Sequence, residues 1–172
     1  MPTPALTVRP GAAGDEPGIC AICSAGFAAS SRGLVSEDEI ARRIAEYYNT
    51  ERVLGELEAS PPYWLGYIVA ELDGRIVGAT GGSLDGEVGH VLVLYLDLQL
   101  RGRGIGTALL EHLTEQHREA GARRQRVSVT EGNEMGLPFY RARGFRTLER
   151  KPFGPAAQPG QTAHSLVMER PL

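Results

Sequence analysis

Apolar and polar residues alternate along Ala5 to Arg9 and stop at Pro10-Gly11, the pattern of a short strand closed by a turn. The period then changes. Asp15 to Phe27 reads as a helix with Asp15 as its N-cap, and the small and polar stretch Ala28 to Leu34 reads as a loop. Ser36-Glu37-Asp38-Glu39 has the spacing of a capping box, which opens a second helix through about Glu58, stopped by Ser60-Pro61-Pro62. From Tyr63 the period falls to two: Trp64 to Leu72, the hairpin turn Asp73-Gly74, Arg75 to Leu84, a second turn at Asp85-Gly86, then Glu87 to Asp97. Within that last strand Val91 to Leu96 is nearly all apolar, which predicts a central strand covered on both faces.

Beyond a glycine-dense segment, Ile105, Leu109, Leu113 and Gln116 lie along one side of a helix that runs to Ala120 and is ended by Gly121. The same pattern puts His112 and His117 on its exposed side. Arg124 to Thr130 predicts a strand, Glu134 to Arg143 a short helix stopped by Gly144, and Phe145 to Lys151 a strand. A Pro/Gly-rich stretch, Pro152 to Gln161, precedes a last, outer strand from His164 to Glu169. The order β, α, α, a three-strand meander, α, β, α and two closing strands predicts an α/β chain on a mixed sheet with helices on both faces.

Composition sharpens this picture. A chain of 172 residues suits one domain, here expected over 1–172, and 42% hydrophobic with 23% charged residues is the balance of a soluble globular protein. No apolar run approaches the ~20 residues of a membrane helix, and Met1 to Val8 lacks the pattern of a signal peptide, so a cytoplasmic protein without a membrane partner is expected. The net charge of -3 argues against nucleic acid as a partner, while Arg101, Arg103, Arg118, Arg123, Arg124, Arg126, Arg141, Arg143 and Arg146 concentrate basic charge in the second half, suiting a small polyanionic ligand. Cys20 and Cys23 form a C-x-x-C. A zinc site or a redox pair would each need a context that is missing, so both cysteines read as small apolar residues on one helix face, and no metal is expected.

Most of the chemistry lies in Leu94 to Thr107, where a strand passes through a glycine-rich loop into a helix N-terminus. Free backbone N–H groups and the helix dipole there suit phosphate; Gly102, Gly104 and Gly106 let a ligand approach, and Arg101 and Arg103 add charge. A P-loop would need a lysine that is absent, and in a dinucleotide fingerprint the third glycine would fall one residue later.

Arg101-Gly102-Arg103-Gly104-Ile105-Gly106 resembles the Q/R-x-x-G-x-G/A signature of the GCN5-related N-acetyltransferases (GNAT). Asn133, Tyr140, Gly144 and Phe145 match a second signature of that family, N-x6-Y-x3-G-F. The resemblance covers Tyr67 to Leu148 well and Ala5 to Phe27 loosely. It implies the GNAT fold, a central, mostly antiparallel mixed sheet of six to seven strands splayed into a V. It also implies acetyl-CoA as co-substrate, with the pyrophosphate held at Arg101 to Thr107. Leu94, Tyr95 and Leu96 would pair with pantetheine beside a bulge near Asp97, where the family's usual proline is replaced by Leu98. The Leu96 N–H would polarise the thioester carbonyl, Asn133 would bond the cofactor arm, and Tyr140 would protonate the leaving thiolate. The base that frees the amine falls at His90 or Glu87.

The resemblance further implies an acceptor site walled by Phe27 to Tyr48 and Lys151 to His164. Glu37, Asp38, Glu39, Glu46, Tyr47 and Tyr48 there read first as a solvated helix face and otherwise as a set that would suit a small cationic amine, and Asn49 to Gly78 with Met168 to Leu172 resembles the polyamine acetyltransferase branch. The alternatives are a protein or peptide amine as acceptor, and a non-catalytic acyl-CoA-binding regulator. Exposed edge strands would offer a route to a homodimer.

Overall fold

The computed structural model describes residues 5–153 and 163–172. Its elements are β1 (Leu6–Pro10), α1 (Glu16–Ser31), α2 (Glu37–Tyr47), α3 (Thr50–Gly55), β2 (Ile68–Leu72), β3 (Arg75–Asp85), β4 (Val88–Leu96), α4 (Ile105–Glu119), β5 (Arg124–Thr130), α5 (Gly136–Ala142), β6 (Arg146–Pro152) and β7 (His164–Pro171). A 3-10 turn, Leu98–Leu100, joins β4 to the loop before α4. The strands form one seven-stranded sheet in the order β1-β2-β3-β4-β5-β7-β6. Every neighbouring pair is antiparallel except β4 and β5. This is the mostly antiparallel mixed sheet of the GNAT fold. The Pro/Gly-rich stretch lies outside the described residues from 154 to 162. Among the described residues no helix is long and apolar enough to cross a membrane.

Helices cover both faces because each turns an apolar stripe to the sheet. Ile105, Leu109 and Leu113 of α4 join Val77, Val91, Val127 and Met168 on one face. On the other, Ile19 and Cys23 of α1 pack on Val69, Ala79 and Val93, with Cys20 against the same cluster. The approach of α1 is close: a Cβ at Gly26 would stand 2.6 Å from the Tyr95 ring. Both cysteines are free, and burial pushes the Cys23 thiol well above its ordinary value, which keeps it unreactive.

Several boundaries differ from the sequence pattern, each for a local reason. Helix α1 continues to Ser31, since Ala28, Ala29, Ser30 and Ser31 contain nothing that breaks a helix. Asp15 does not cap it; its carboxylate accepts from the Arg9 guanidinium at 2.7 Å and from the Ala12 N–H at 2.8 Å. Ser36 accepts from the Glu39 N–H at 3.2 Å, but Glu39 turns to Arg42 and Arg43, so only half of the capping box forms. The expected long second helix is split by Asn49, whose amide donates to the Ala45 carbonyl at 3.0 Å and accepts from the Arg52 N–H at 2.9 Å. It closes α2 and caps α3. Strand β2 begins only at Ile68, and the second hairpin closes at Gly86-Glu87, since Asp85 pairs with Val88. His164 starts a strand that lies between β5 and β6, so the outer strand is β6.

Candidate active site

Strand β4 pairs with β5 only from Val88↔Arg124 to Val91↔Val127. Beyond that point β4 continues along β3 to Leu96 and β5 continues along β7 to Thr130, so their facing edges part. The register slips at Gly81/Gly82 because Leu92 is an extra residue in β4: Gly82 pairs with Val91 and Gly81 with Val93. The bulge is therefore at Leu92, not near Asp97. Asp97 instead caps the 3-10 turn, its carboxylate accepting from the Gln99 N–H at 3.0 Å. The parting also explains why Leu92 is 54% exposed, although a strand covered on both faces was expected.

The gap is a cleft of about 200 Å³ bordered by Leu94, Tyr95, Leu96, Arg101, Asn133 and Tyr140. The Asp97 N–H donates to the Val77 carbonyl on the β3 side at 2.8 Å. Backbone groups of successive strand residues point to opposite edges, so the Leu94 and Leu96 N–H groups face the cleft. Just past its end, Arg101, Gly102, Arg103 and Gly104 form an exposed loop. Gly102 and Gly104 have φ of 78° and 81°, the left-handed region that other residues enter at a cost. Gly104 is the N-cap of α4 and has no side chain, so the N–H groups of Ile105, Gly106 and Thr107 are left for a ligand. Gly106 serves packing as well, since a Cβ there would lie 3.1 Å from Leu96 and 3.3 Å from Phe139.

Tyr140 is 7% exposed and packs edge-on to Phe139 and Phe145 with ring centroids 5.1 and 5.2 Å away. Burial, chiefly, pushes its phenol well above the ordinary tyrosine value, and among the described residues its hydroxyl has no hydrogen-bond partner. Asn133 spends its carbonyl oxygen on the Met135 and Gly136 N–H groups at 3.0 and 2.9 Å, which starts α5; its NH₂ group remains. Arg143, one of the arginines expected to suit a polyanionic ligand, ties α5 to α4. It donates to the Phe139 carbonyl at 2.8 Å and to the Thr107 hydroxyl, and it stacks 3.7 Å over the Phe139 ring.

The structure does not bring the two expected base positions to the cleft. Glu87 sits in the hairpin turn before β4, ion-paired with Arg123 at 3.4 Å, and Leu96 is at the other end of the strand, about 30 Å away at ~3.3 Å per residue. His90 lies on the paired stretch of β4 opposite Ser83 and Arg126, and neither residue borders the cleft or the cavity beside it. Burial, with Arg126 adding, lowers the His90 pKa.

A larger cavity of about 670 Å³ opens off the cleft on the α1 side, sharing Phe27, Leu92, Val93, Tyr95, Ser128 and Thr130 with it. Of the acidic and aromatic set expected for a cation, only Tyr47 and Tyr48 border it. Glu39 and Glu46 are held by Arg42 at 2.8 Å each. Arg43, Arg52, Tyr63, Trp64, Tyr67 and Lys151 border it instead, with Glu56. The aromatic run after Pro61-Pro62 was the available signal for part of this wall.

An open sheet that parts beside a glycine loop at a helix N-terminus is the architecture of the GNAT acetyltransferases. The Acetyltransferase (GNAT) family model matches residues 34–145, and the chain belongs to this family. It is an acetyl-CoA-dependent N-acetyltransferase. An uncharacterised N-acetyltransferase from Methanocaldococcus jannaschii is 33% identical over 144 residues, 83% of this chain and 89% of the relative. The fold is shared with the PaiA N-acetyltransferase of Thermoplasma acidophilum, solved in complex with coenzyme A, at a TM-score of 0.82 and 22% identity over 98% of this chain and 99% of that one. A GCN5-related N-acetyltransferase from Rhodopseudomonas palustris superposes at a TM-score of 0.75 with 24% identity over 100% and 98% of the two chains.

Proposed function

We propose that the chain transfers acetyl from acetyl-CoA to a small primary amine by direct attack in a ternary complex. Coenzyme A occupies the β4–β5 cleft, its pyrophosphate lies on Arg101 to Thr107, and the acceptor enters from the larger cavity. The parting of β4 and β5 directly ahead of the α4 N-terminus carries this reading. Unpaired strand edges accept an extended amide-bearing arm as a surrogate strand, and a helix N-terminus accepts phosphate.

The amine lone pair forms the C–N bond as the carbonyl oxygen takes negative charge, which the Leu96 N–H stabilises. The C–S bond then breaks with its electron pair on sulfur. Tyr140 protonates the thiolate; its raised pKa keeps the phenol protonated at neutral pH, the form that donates. The Asn133 NH₂ group bonds the cofactor arm. With His90 and Glu87 outside both spaces, the proton of the incoming amine leaves to water in the open cavity, and water returns one to the Tyr140 phenolate. None of the acidic residues that suggested a polyamine acceptor borders the cavity.

Coenzyme A release from the purified protein, followed with a thiol reagent over a panel of primary amines, tests this. Amine-dependent release is expected, with Tyr140→Phe lowering kcat about 100-fold while KM for acetyl-CoA stays within about twofold. Silence from the parent protein with acetyl-CoA bound, or an unchanged kcat in the variant, would refute the transfer or the acid role in turn.

A further inference from the structure

The cavity beside the cleft is rich in donors and poor in carboxylates. Three cations border it, Arg43, Arg52 and Lys151, against one carboxylate, Glu56, which the Arg52 guanidinium already holds at 2.8 Å. Arg43 is turned one way to Glu39 at 2.9 Å and stacks 4.4 Å over the Phe153 ring. Lys151 has no carboxylate within ion-pair distance among the described residues, and the segment 154–162 contains no Asp or Glu to supply one.

The placement of Lys151 gives this excess a direction. Ser165 pairs with Thr130 on one side and with Lys151 on the other, so hydroxyl, hydroxyl and ammonium stand in one row across β5, β7 and β6. All three border the cavity and therefore share its face of the sheet, and Ser128 is two residues along β5 on that same face. Adjacent strands are ~4.8 Å apart, so neighbouring donors of the row are within reach of the two oxygens of one planar anion. Thr130 also borders the cleft, which puts the row close to where the thioester would lie. Phe27, Trp64, Leu92 and Phe153 also border the cavity and give it an apolar wall.

We propose that the acceptor is an amino acid with an apolar side chain. Its carboxylate lies on the Thr130–Ser165–Lys151 row, its side chain lies on the apolar wall, and its amine faces the mouth shared with the cleft. This inference rests on the small-amine reading above and narrows it. The chemistry balances as the amine form plus acetyl-CoA giving the N-acetyl amino acid plus coenzyme A: the C–N bond replaces the C–S bond, and the proton lost by nitrogen equals the one gained by sulfur. A polycationic amine would meet Lys151 with like charge and find no carboxylate free of an arginine on this lining, so it is the poorer acceptor.

The test compares leucine, methionine and phenylalanine, each with its amide and its decarboxylated amine, and spermidine, by acetyl-CoA-dependent thiol release. For at least one trio the free acid is expected to exceed both analogues at least tenfold in kcat/KM, with spermidine slower than that acid. Lys151 is exposed, so Lys151→Gln leaves the fold intact, and it is expected to shrink the preference for the acid to within about twofold; Thr130→Val is expected to reduce it as well. Equal or faster turnover of the amides, the decarboxylated amines or spermidine would overturn the carboxylate subsite while leaving amine acetylation standing. A preference unchanged in both variants would also overturn it. Silence from every amine, with acetyl-CoA bound, would overturn both.

Discussion

His117 has no exposed surface, and the glycines of two strands make room for it: a Cβ at Gly89 would come within 2.3 Å of its ring and one at Gly82 within 2.9 Å. His117 therefore lies in the core and not on the solvent side of α4 where the sequence pattern put it. Its position continues the Leu109, Leu113 series by four residues, so the helical period already contained the signal, which was masked by treating a polar residue as an exposed one. Its protonation state follows from its neighbours. Arg170 can only donate, and its Nε donates to the Gln125 oxygen at 3.0 Å, which fixes the amide so that its NH₂ faces His117 Nδ1 at 3.1 Å and Thr114 Oγ1 at 3.0 Å. Nδ1 therefore accepts and the ring is neutral. Burial, opposed by the Ser83 carbonyl and helped by His90, lowers its pKa from 6.5 to about 4. In the unfolded chain the ring takes a proton near pH 6.5 that the folded ring refuses until about pH 4, so stability is complete above pH 6.5 and is lost as pH falls through that window. At most about 3 kcal/mol is at stake, at ~1.4 kcal/mol per pKa unit. Urea unfolding between pH 7 and 4 should show this loss in the parent and a flatter profile in His117→Gln; parallel profiles would exclude His117 as the cause.

At the scale of elements, the loop and helix that follow β4 were legible because their chemistry is local. Glycines at fixed offsets, a following amphipathic helix and a hairpin dipeptide at Asp73-Gly74 each act over a few residues. Asn49 was not legible in the same way, since splitting a periodic stretch into α2 and α3 depends on one side chain bonding in both directions. The bulge was harder still. It moved five residues, to Leu92, because it is a property of the β3–β4 pair, whose partner residues Gly81 and Gly82 lie in another part of the sequence. Likewise Leu94 to Leu96, Arg101, Asn133 and Tyr140, expected from their motifs, border the cleft, while Glu87 and His90, expected from the resemblance alone, lie outside it. For the loop, the φ of 81° at Gly104 and the free N–H groups after it separate two effects that a substitution would mix. Gly104→Asn carries the backbone cost without charge, and asparagine tolerates this conformation well. Gly104→Asp adds a negative charge at the phosphate position. By calorimetry the aspartate variant should bind acetyl-CoA at least tenfold more weakly than the asparagine variant; equal affinities would remove phosphate from this loop.

Across the whole molecule, the two halves of the sheet meet only along Val88–Val91 and Arg124–Val127, and the covered faces on either side hold that short junction in place. The consequence is a sheet with an internal pair of unfinished edges, in contrast to its outer edges at β1 and β6. A cofactor arm that adds itself between β4 and β5 would complete hydrogen bonds for Leu94 and Leu96, whose N–H groups lack a strand partner on that side, and for the facing stretch Ser128–Thr130. Amides with fixed partners exchange with solvent only on local opening, so filling these edges should slow them selectively. Hydrogen exchange with and without coenzyme A should show new protection at residues 92–96, 128–130 and the 101–107 loop. Residues 88–91 and 124–127, already paired, should change little, as should β1 and β6. Protection that instead spread evenly through the sheet would mean general stabilisation by a ligand bound elsewhere, and protection limited to 101–107 would mean that phosphate alone is held and the strand edges stay open.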